Sequence, residues 1–554
     1  MRKSKSGENL ATRVKLDPAV RTFRAATERF LEEHHQLFPH QASELGLSEF
    51  DAELGENSAS THLRHVELLS GTLSAVEALP DHAFRGDDWL DRRGFLSMLR
   101  TSLHWNGSLA RWRTNPQVHC DAALDAILLL LIRNADRLEK IRPAVESRLA
   151  KLPEFLAQGA ACLRAPVPLW SELAQKSCAG AATFFREVAA QLAPLSPEPE
   201  KTRALCQQAI AAFSRYAAAV EKKTPGAKDG YAVGRADFEF LLREKTGLPY
   251  SLPEVRALGE SLVAQLGAEL AVEARRFGRK KTAQILEEAA ARWRPNAPTL
   301  LEEYRQRTAE VRKLFAQADV VTFPQGERCR VLPVPQFLQH HFPTAAYHQP
   351  PPFSRDQTGI FWVNDLSHTQ RDPTRRAAEV AQHFGLDFTC AHEAYPGHHL
   401  QFVLQNQHPS RIRRLMHHAI AYEGWTLWCE KMAVDCGVIT LPEARLIQLH
   451  DALWRAHRIV IDCGLHDRAL TYSGAARRLQ EGVGFTSARA RGDVNWYTSS
   501  PTVPLSYLLG RLEVERLHAQ LCGREKWTLR QFNDWLLSHG AIPWRWIWDA
   551  RLRP

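Results

Sequence analysis

The segment 390-CAHEAYPGHHLQFVLQ-405 places a histidine, an adjacent glutamate and two further histidines within a short stretch. A histidine followed by glutamate on one helix begins a zinc helix: the imidazole binds the metal and the carboxylate faces the reacting water. His392 and Glu393 supply that pair, but Pro396 stands where the second histidine of HExxH belongs, so the strict motif fails. On an undistorted helix His398 lies ~9 Å and His399 ~10.5 Å along the axis from His392, against ~6 Å for a shared ion. Pro396 and Gly397 sit where a distortion is needed. Proline deletes a helical donor and clashes with the preceding turn, and glycine accepts the backbone that results. A two-residue bulge seats His398, whereas His399 needs a three-residue one. His398 is therefore the favoured second ligand, with His399 beside the metal or substrate.

A third ligand is available in 421-AYEGWTLWCEKMAVDCG-437. Glu423 and Glu430 fall on one helix face, among Tyr422, Trp425, Leu427 and Trp428. Carboxylates buried in such surroundings are costly unless paired or bound to metal. Glu423 suits the third metal position, and Glu430 is left to orient a ligand or a substrate group. Two salt-bridged structural glutamates are the plain alternative. In 453-LWRAHRIVIDCGLHDRAL-470, Arg458, Asp462 and His466 form a polar line on an otherwise apolar helix. That line is either a structural network or a route by which His466 reaches the substrate oxyanion. The segment 493-DVNWYTSSPTVPLSYLLGRLEVERL-517 adds Tyr497, Tyr507 and Arg511. A phenol such as Tyr507 can donate to a developing oxyanion. Arg458 and Arg511 are cations available to a substrate carboxylate.

The elements that must position these groups are mostly helical. From about Asp17 to Asp319, apolar residues recur at three- and four-residue intervals, as in THLRHVELLSGTLSAVEAL. Asp17-Pro18 makes a good helix start, and PLSPEPEK and KTPGAKDG are breaks. The run AILLLLI at Ala126 to Ile132 is far short of the roughly 20 residues that span a bilayer and reads as a buried helix. Between Val320 and Asp365 prolines alternate with β-branched and aromatic residues, which predicts short strands and extended loops. The expected fold is mainly α: a disordered tail over 1–16, a helical region over 17–235, and a helical catalytic region over 236–554. A small β element near 320–365 precedes the zinc helix.

Of the 554 residues, 44% are hydrophobic and 24% charged, enough for a sizeable core. The net charge of +9 is spread among acids rather than gathered in a basic arm, which argues against a nucleic-acid partner. The ten cysteines lack CxxC spacing and the first residues lack a signal-like apolar run, so a cytoplasmic protein with reduced thiols and no membrane partner is expected. Oligomeric state is not legible.

Together these segments resemble the domain-of-unknown-function 885 (DUF885) family of bacterial proteins. The resemblance rests on HE-x-x-PGH (His392, Glu393, Pro396, Gly397, His398) and EGW (Glu423 to Trp425). DCGLH (Asp462 to His466), LSYLLG (Leu505 to Gly510) and TGIFWVN (Thr358 to Asn364) extend it, with a weaker match over 238–259. It implies a zinc metallopeptidase related in style to helical zinc carboxypeptidases and oligopeptidases. His392, His398 and Glu423 would hold Zn2+, with Glu393 as general base and Tyr507 or His466 at the oxyanion. Where the family carries an Arg-Tyr pair and a Pro-Gly-Gln turn, this chain has Trp496-Tyr497 and Pro501-Thr502-Val503, which marks a substrate contact as altered. The expected substrate is a peptide or small amide. The alternatives are a non-peptide amide or ester hydrolase on the same zinc, and a helical binding or scaffold protein with a vestigial site.

Overall fold

The computed structural model describes residues 17–224, 230–293, 299–334, 344–366 and 379–553. The expected disordered tail, most of the KTPGAKDG break and the stretch around Pro373 lie outside these. The fold is mainly α with one three-stranded sheet. Asp17 accepts the backbone N–H of Ala19 at 2.7 Å and starts α1 (Pro18–Leu37) with Pro18 in its first turn. The helices α2 (Ala59–Glu77) and α3 (Gly86–Leu103) pack beside it. The apolar run lies in α4 (Gln117–Arg133), where Ala126, Ile127, Leu128, Leu130 and Leu131 are buried, as its length implied. With α5 (Leu138–Cys162), α6 (Pro168–Leu192) and α7 (Pro199–Lys223), this helix encloses a core of its own around Leu149, Phe185 and Phe213. No described helix is long and apolar enough to cross a membrane.

The largest core joins the two ends of the chain. Phe23, Phe95 and Leu99 from the first helices meet Phe315 of α8 (Leu300–Gln317), Phe361 of the sheet, Trp425 and Trp544. The sheet falls inside the predicted span: β1 (Arg328–Pro333), β2 (Ala345–His348) and β3 (Thr358–Val363), in the order β1-β3-β2. β1 runs parallel to β3 and β2 antiparallel to it. The run TGIFWV is central and buried on both faces, which explains why it is continuously apolar rather than alternating. β2 has all four residues half-buried.

Five more helices carry the site. They are α9 (Leu386–Glu393), α10 (His398–Asn406), α11 (Ala419–Asp435), α12 (Ala444–His466) and α13 (Ser506–His518). The backbones of α11 and α13 touch at two glycines. A Cβ on Gly424 would lie 2.5 Å from the Gly510 carbonyl carbon, and one on Gly510 would lie 2.1 Å from the Ile420 oxygen. This close crossing sets Tyr507, one turn before Gly510, against Glu423.

Candidate metal centre

The predicted bulge is a complete break. The zinc-helix pattern stops at Glu393, Ala394 leaves helical geometry, and a new helix starts at His398 after Gly397. Gly397 folds so tightly that a Cβ there would stand 1.8 Å from the His392 carbonyl oxygen, so only glycine fits. The Trp425 indole N–H donates to the Pro396 carbonyl at 2.8 Å and pins this turn to α11. The sequence pieces PGH and EGW are thus two sides of one joint. It brings the His392 and His398 rings to a centroid distance of 5.0 Å, nearly perpendicular.

The Nε2 atoms of His392 and His398 lie 3.5 and 3.7 Å from Oε2 of Glu423. One ligand atom from each of the three residues falls within 4.8 Å of the others. Separations of 3.5 and 3.7 Å are long for hydrogen bonds but match the edge of about 3.4 Å of a tetrahedron with metal–ligand bonds of about 2.0–2.1 Å. Oε2 of Glu423 is buried and has no hydrogen-bond partner among the described residues. An unpartnered carboxylate oxygen facing two imidazole nitrogens is a donor set that fits zinc.

The surroundings supply orientation and charge. Nδ1 of His392 lies 2.8 Å from Oε1 of Glu430, so an N–H is donated there and Nε2 is turned toward the centre. Glu430 in turn has Arg455 at 3.8 Å. Burial alone would lower the His392 imidazole, but Glu423 and Glu430 override it and raise it to about 10. His398, without a carboxylate on its other nitrogen, is pushed down by burial to about 3. Burial raises Glu423, yet the two histidines outweigh it and hold that carboxyl below its usual range. Glu393 is the half-buried carboxylate of the group. Burial pushes it up to about 7, opposed by His392 and reinforced by Glu423 and Glu430. The backbone N–H of Tyr347 on β2 is directed at it.

Tyr507 presents its hydroxyl to Glu423. His399 points away from the cluster. Its Nε2 lies 2.8 Å from Glu327, and its Nδ1 lies 2.9 Å from the Tyr347 hydroxyl. Glu327 also receives the Tyr395 hydroxyl at 2.5 Å and Arg312 at 2.7 Å, making a buried clamp between the metal turn and β1. His466 does not approach the cluster either. Its Nε2 faces the Tyr497 carbonyl at 3.2 Å and its ring stacks near Phe238, which encloses it in the helix packing. Asp462 accepts the backbone N–H groups of Thr502 (3.0 Å) and Leu505 (3.4 Å), which fixes the turn that launches α13. Arg458 is enclosed by Trp454 and Tyr507, with Nε donating to the Tyr497 hydroxyl at 2.8 Å. Arg511 lies 3.4 Å from Glu515. Both arginines have an internal partner, while Nη1 of Arg458 and Nε of Arg511 are buried without a hydrogen-bond partner among the described residues.

The departures at 496–503 also acquire a physical meaning. Trp496 packs over the Arg458 guanidinium at 5.3 Å. Thr502 is almost fully buried and holds a left-handed φ of 70°, a conformation that suits glycine and strains a β-branched residue. The turn keeps its shape without the glycine because Asp462 secures its N–H. Sequence reasoning missed the aromatic wall beside His398. Tyr347, Phe402 and Tyr422 flank His398, with His417 packed behind Phe402 and Tyr422 and with Tyr347 and Phe402 parallel within 5°.

The molecule is thus a helical protein with a buried two-histidine, one-glutamate centre and a further carboxylate at its edge. The chain belongs to the DUF885 family, described as a bacterial protein of unknown function, which it matches over residues 39–549. A candidate lipoprotein of unknown function from Shewanella oneidensis has the same fold, with a TM-score of 0.77 and 18% identity, covering 96% of this chain and 100% of that one. A candidate lipoprotein from Colwellia psychrerythraea is similar at a TM-score of 0.77 and 19% identity, covering 96% and 98%. No curated protein matches the chain.

Proposed function

We propose that this protein is a zinc-dependent hydrolase of peptide or closely related amide bonds, with His392, His398 and Glu423 as the metal ligands. The observation that carries the reading is the convergence of two imidazole nitrogens on the unpartnered oxygen of Glu423, with Glu393 next to His392 in the chain. Zinc in such a set supplies Lewis acidity, polarising an acyl oxygen and making water acidic near neutral pH. Glu393, poised near 7 and half-open, is suited to take a proton from water and return it to a leaving amine. Glu430 holds the His392 ring and its tautomer. Tyr507 offers a hydroxyl from the Glu423 side, in position to donate to a developing oxyanion. The aromatic wall keeps one side of the centre dry, which strengthens these electrostatic effects.

The test is Glu393→Gln. The carboxamide cannot accept the proton, so turnover of a peptide library falls by at least a hundredfold while zinc content stays at one per chain. Full turnover in that variant refutes the assignment, and absence of zinc from the wild type favours the scaffold alternative. For the compartment, the scattered cysteines support the cytoplasm, and the lipoprotein descriptions of the two structural relatives support the cell envelope. Following the chain through cell fractionation decides between them.

A further inference from the structure

The edge of the sheet nearest the metal centre carries a second feature. Asn364 donates its N–H to the Thr344 carbonyl at 2.8 Å, continuing the register in which Ala345 faces Val363 and Tyr347 faces Phe361. In an antiparallel pair the hydrogen-bonded residues alternate. Ala346 and His348 therefore bond to β3, and Ala345 and Tyr347 turn their N–H and C=O groups outward. The Tyr347 ring lies 6.3 Å from that of His398 and α9, which ends at Glu393, packs against β2, so this edge lies beside the reacting end of the site. Two positions back along the same edge, Ala345 keeps its outward N–H and C=O without a partner among the described residues, with only a methyl side chain beside them. A bare edge is a liability that proteins blunt with proline, charge or a covering element. Ala345, Ala346, Tyr347 and His348 include neither proline nor an acidic or basic residue other than a histidine whose pKa burial lowers, and all four are half-buried. The Tyr347 and Phe402 rings stand parallel beside this edge.

We propose that the substrate is an extended peptide that docks as a fourth strand on β2, exchanging main-chain hydrogen bonds with Ala345 so that its scissile carbonyl lies beside Glu393. This rests on the hydrolase reading of the His392–His398–Glu423 cluster and adds the substrate class. Recognition through main chain requires an extended backbone and tolerates varied side chains. It also separates a peptide from a small ester, which reaches the centre but has no strand to pair.

The decisive experiment uses the zinc-loaded wild type, an unstructured octapeptide that it cleaves, and a set of that peptide N-methylated at one position each. The outward carbonyls of Ala345 and Tyr347 take two peptide N–H groups two residues apart, so kcat/KM falls about tenfold for those two methylations and at most about twofold for the others. A loss uniform along the peptide, or none, overturns the docking. Ala345→Pro provides an independent arm, because proline there deletes an outward N–H and no ladder bond. In the folded, zinc-loaded variant the ratio of octapeptide to p-nitrophenyl acetate turnover falls about tenfold, and an unchanged ratio overturns the proposal. If the zinc-loaded wild type turns over neither peptide nor ester, the hydrolase reading itself fails. Turnover without that two-position pattern refutes the strand docking alone.

Discussion

If His392, His398 and Glu423 hold zinc as proposed, removing Glu430 should weaken its binding without touching a ligand. Its carboxylate accepts the His392 Nδ1–H at 2.8 Å and is almost fully buried. Such a charge-assisted hydrogen bond contributes about 1.5–3 kcal/mol, which corresponds to about 10–150-fold in a binding constant. Loss of the carboxylate partner of a ligating histidine costs about 10–100-fold in metal affinity, in the same range. Glu430→Ala also frees the His392 ring to rotate and leaves the buried Arg455 without its neighbour at 3.8 Å. Glu430→Gln keeps an oxygen that can accept the same N–H and loses only the charge. The alanine variant is therefore expected to bind zinc about 10–100-fold more weakly and the glutamine variant only about fivefold. Competition against a chromophoric chelator measures both, with circular dichroism to check folding. Wild-type affinity in folded Glu430→Ala refutes the reasoning, as does an equal loss in both variants.

Two further outcomes follow from the same geometry. Zinc must displace the proton that Glu423 and Glu430 hold on His392, raised to about 10, so raising the pH removes a competitor and strengthens binding. Between pH 7 and 9 the logarithm of the zinc association constant should climb by about one per pH unit, with about one proton released per ion, read by calorimetry in buffers of different ionisation enthalpy. A flat profile with no proton release contradicts it. Gly424→Ala would force a Cβ to 2.5 Å from the Gly510 backbone, pushing α11 and α13 apart. Overpacking of this kind costs about 1–3 kcal/mol, seen as a lower denaturation midpoint, and the shift of Tyr507 from Glu423 lowers turnover as well.

The residues that converge at the candidate centre were legible because their chemistry is local. His392 and Glu393 are adjacent, the Pro396-Gly397 pair announces the break, and the glutamates in an aromatic helix call for a partner. The helices of the first 300 residues and the placement of the strands were legible from periodicity and from proline and β-branched content. The helix break that seats His398 was inferred from the failed spacing at Pro396, although its tightness depends on the Trp425–Pro396 bond, which no periodicity reveals. The positions that stayed hidden depend on distance along the chain. Glu327 and His399 are sequence-remote partners, and nothing in either local segment links them. Tyr347, Phe402 and His417 have the composition of ordinary core residues and become a pocket wall only when β2 and α10 are brought together. For His466 the polar line left two readings open, and the Tyr497 carbonyl and Phe238 beside its ring favour the structural network.

The most direct measurement is anomalous diffraction at the zinc edge from crystals grown with the metal. The expected result is a single strong peak about 2.0–2.2 Å from Nε2 of His392, Nε2 of His398 and an oxygen of Glu423. A zinc-saturated crystal with no density between those three atoms, or with the ion held by other side chains, would contradict the assignment of this centre.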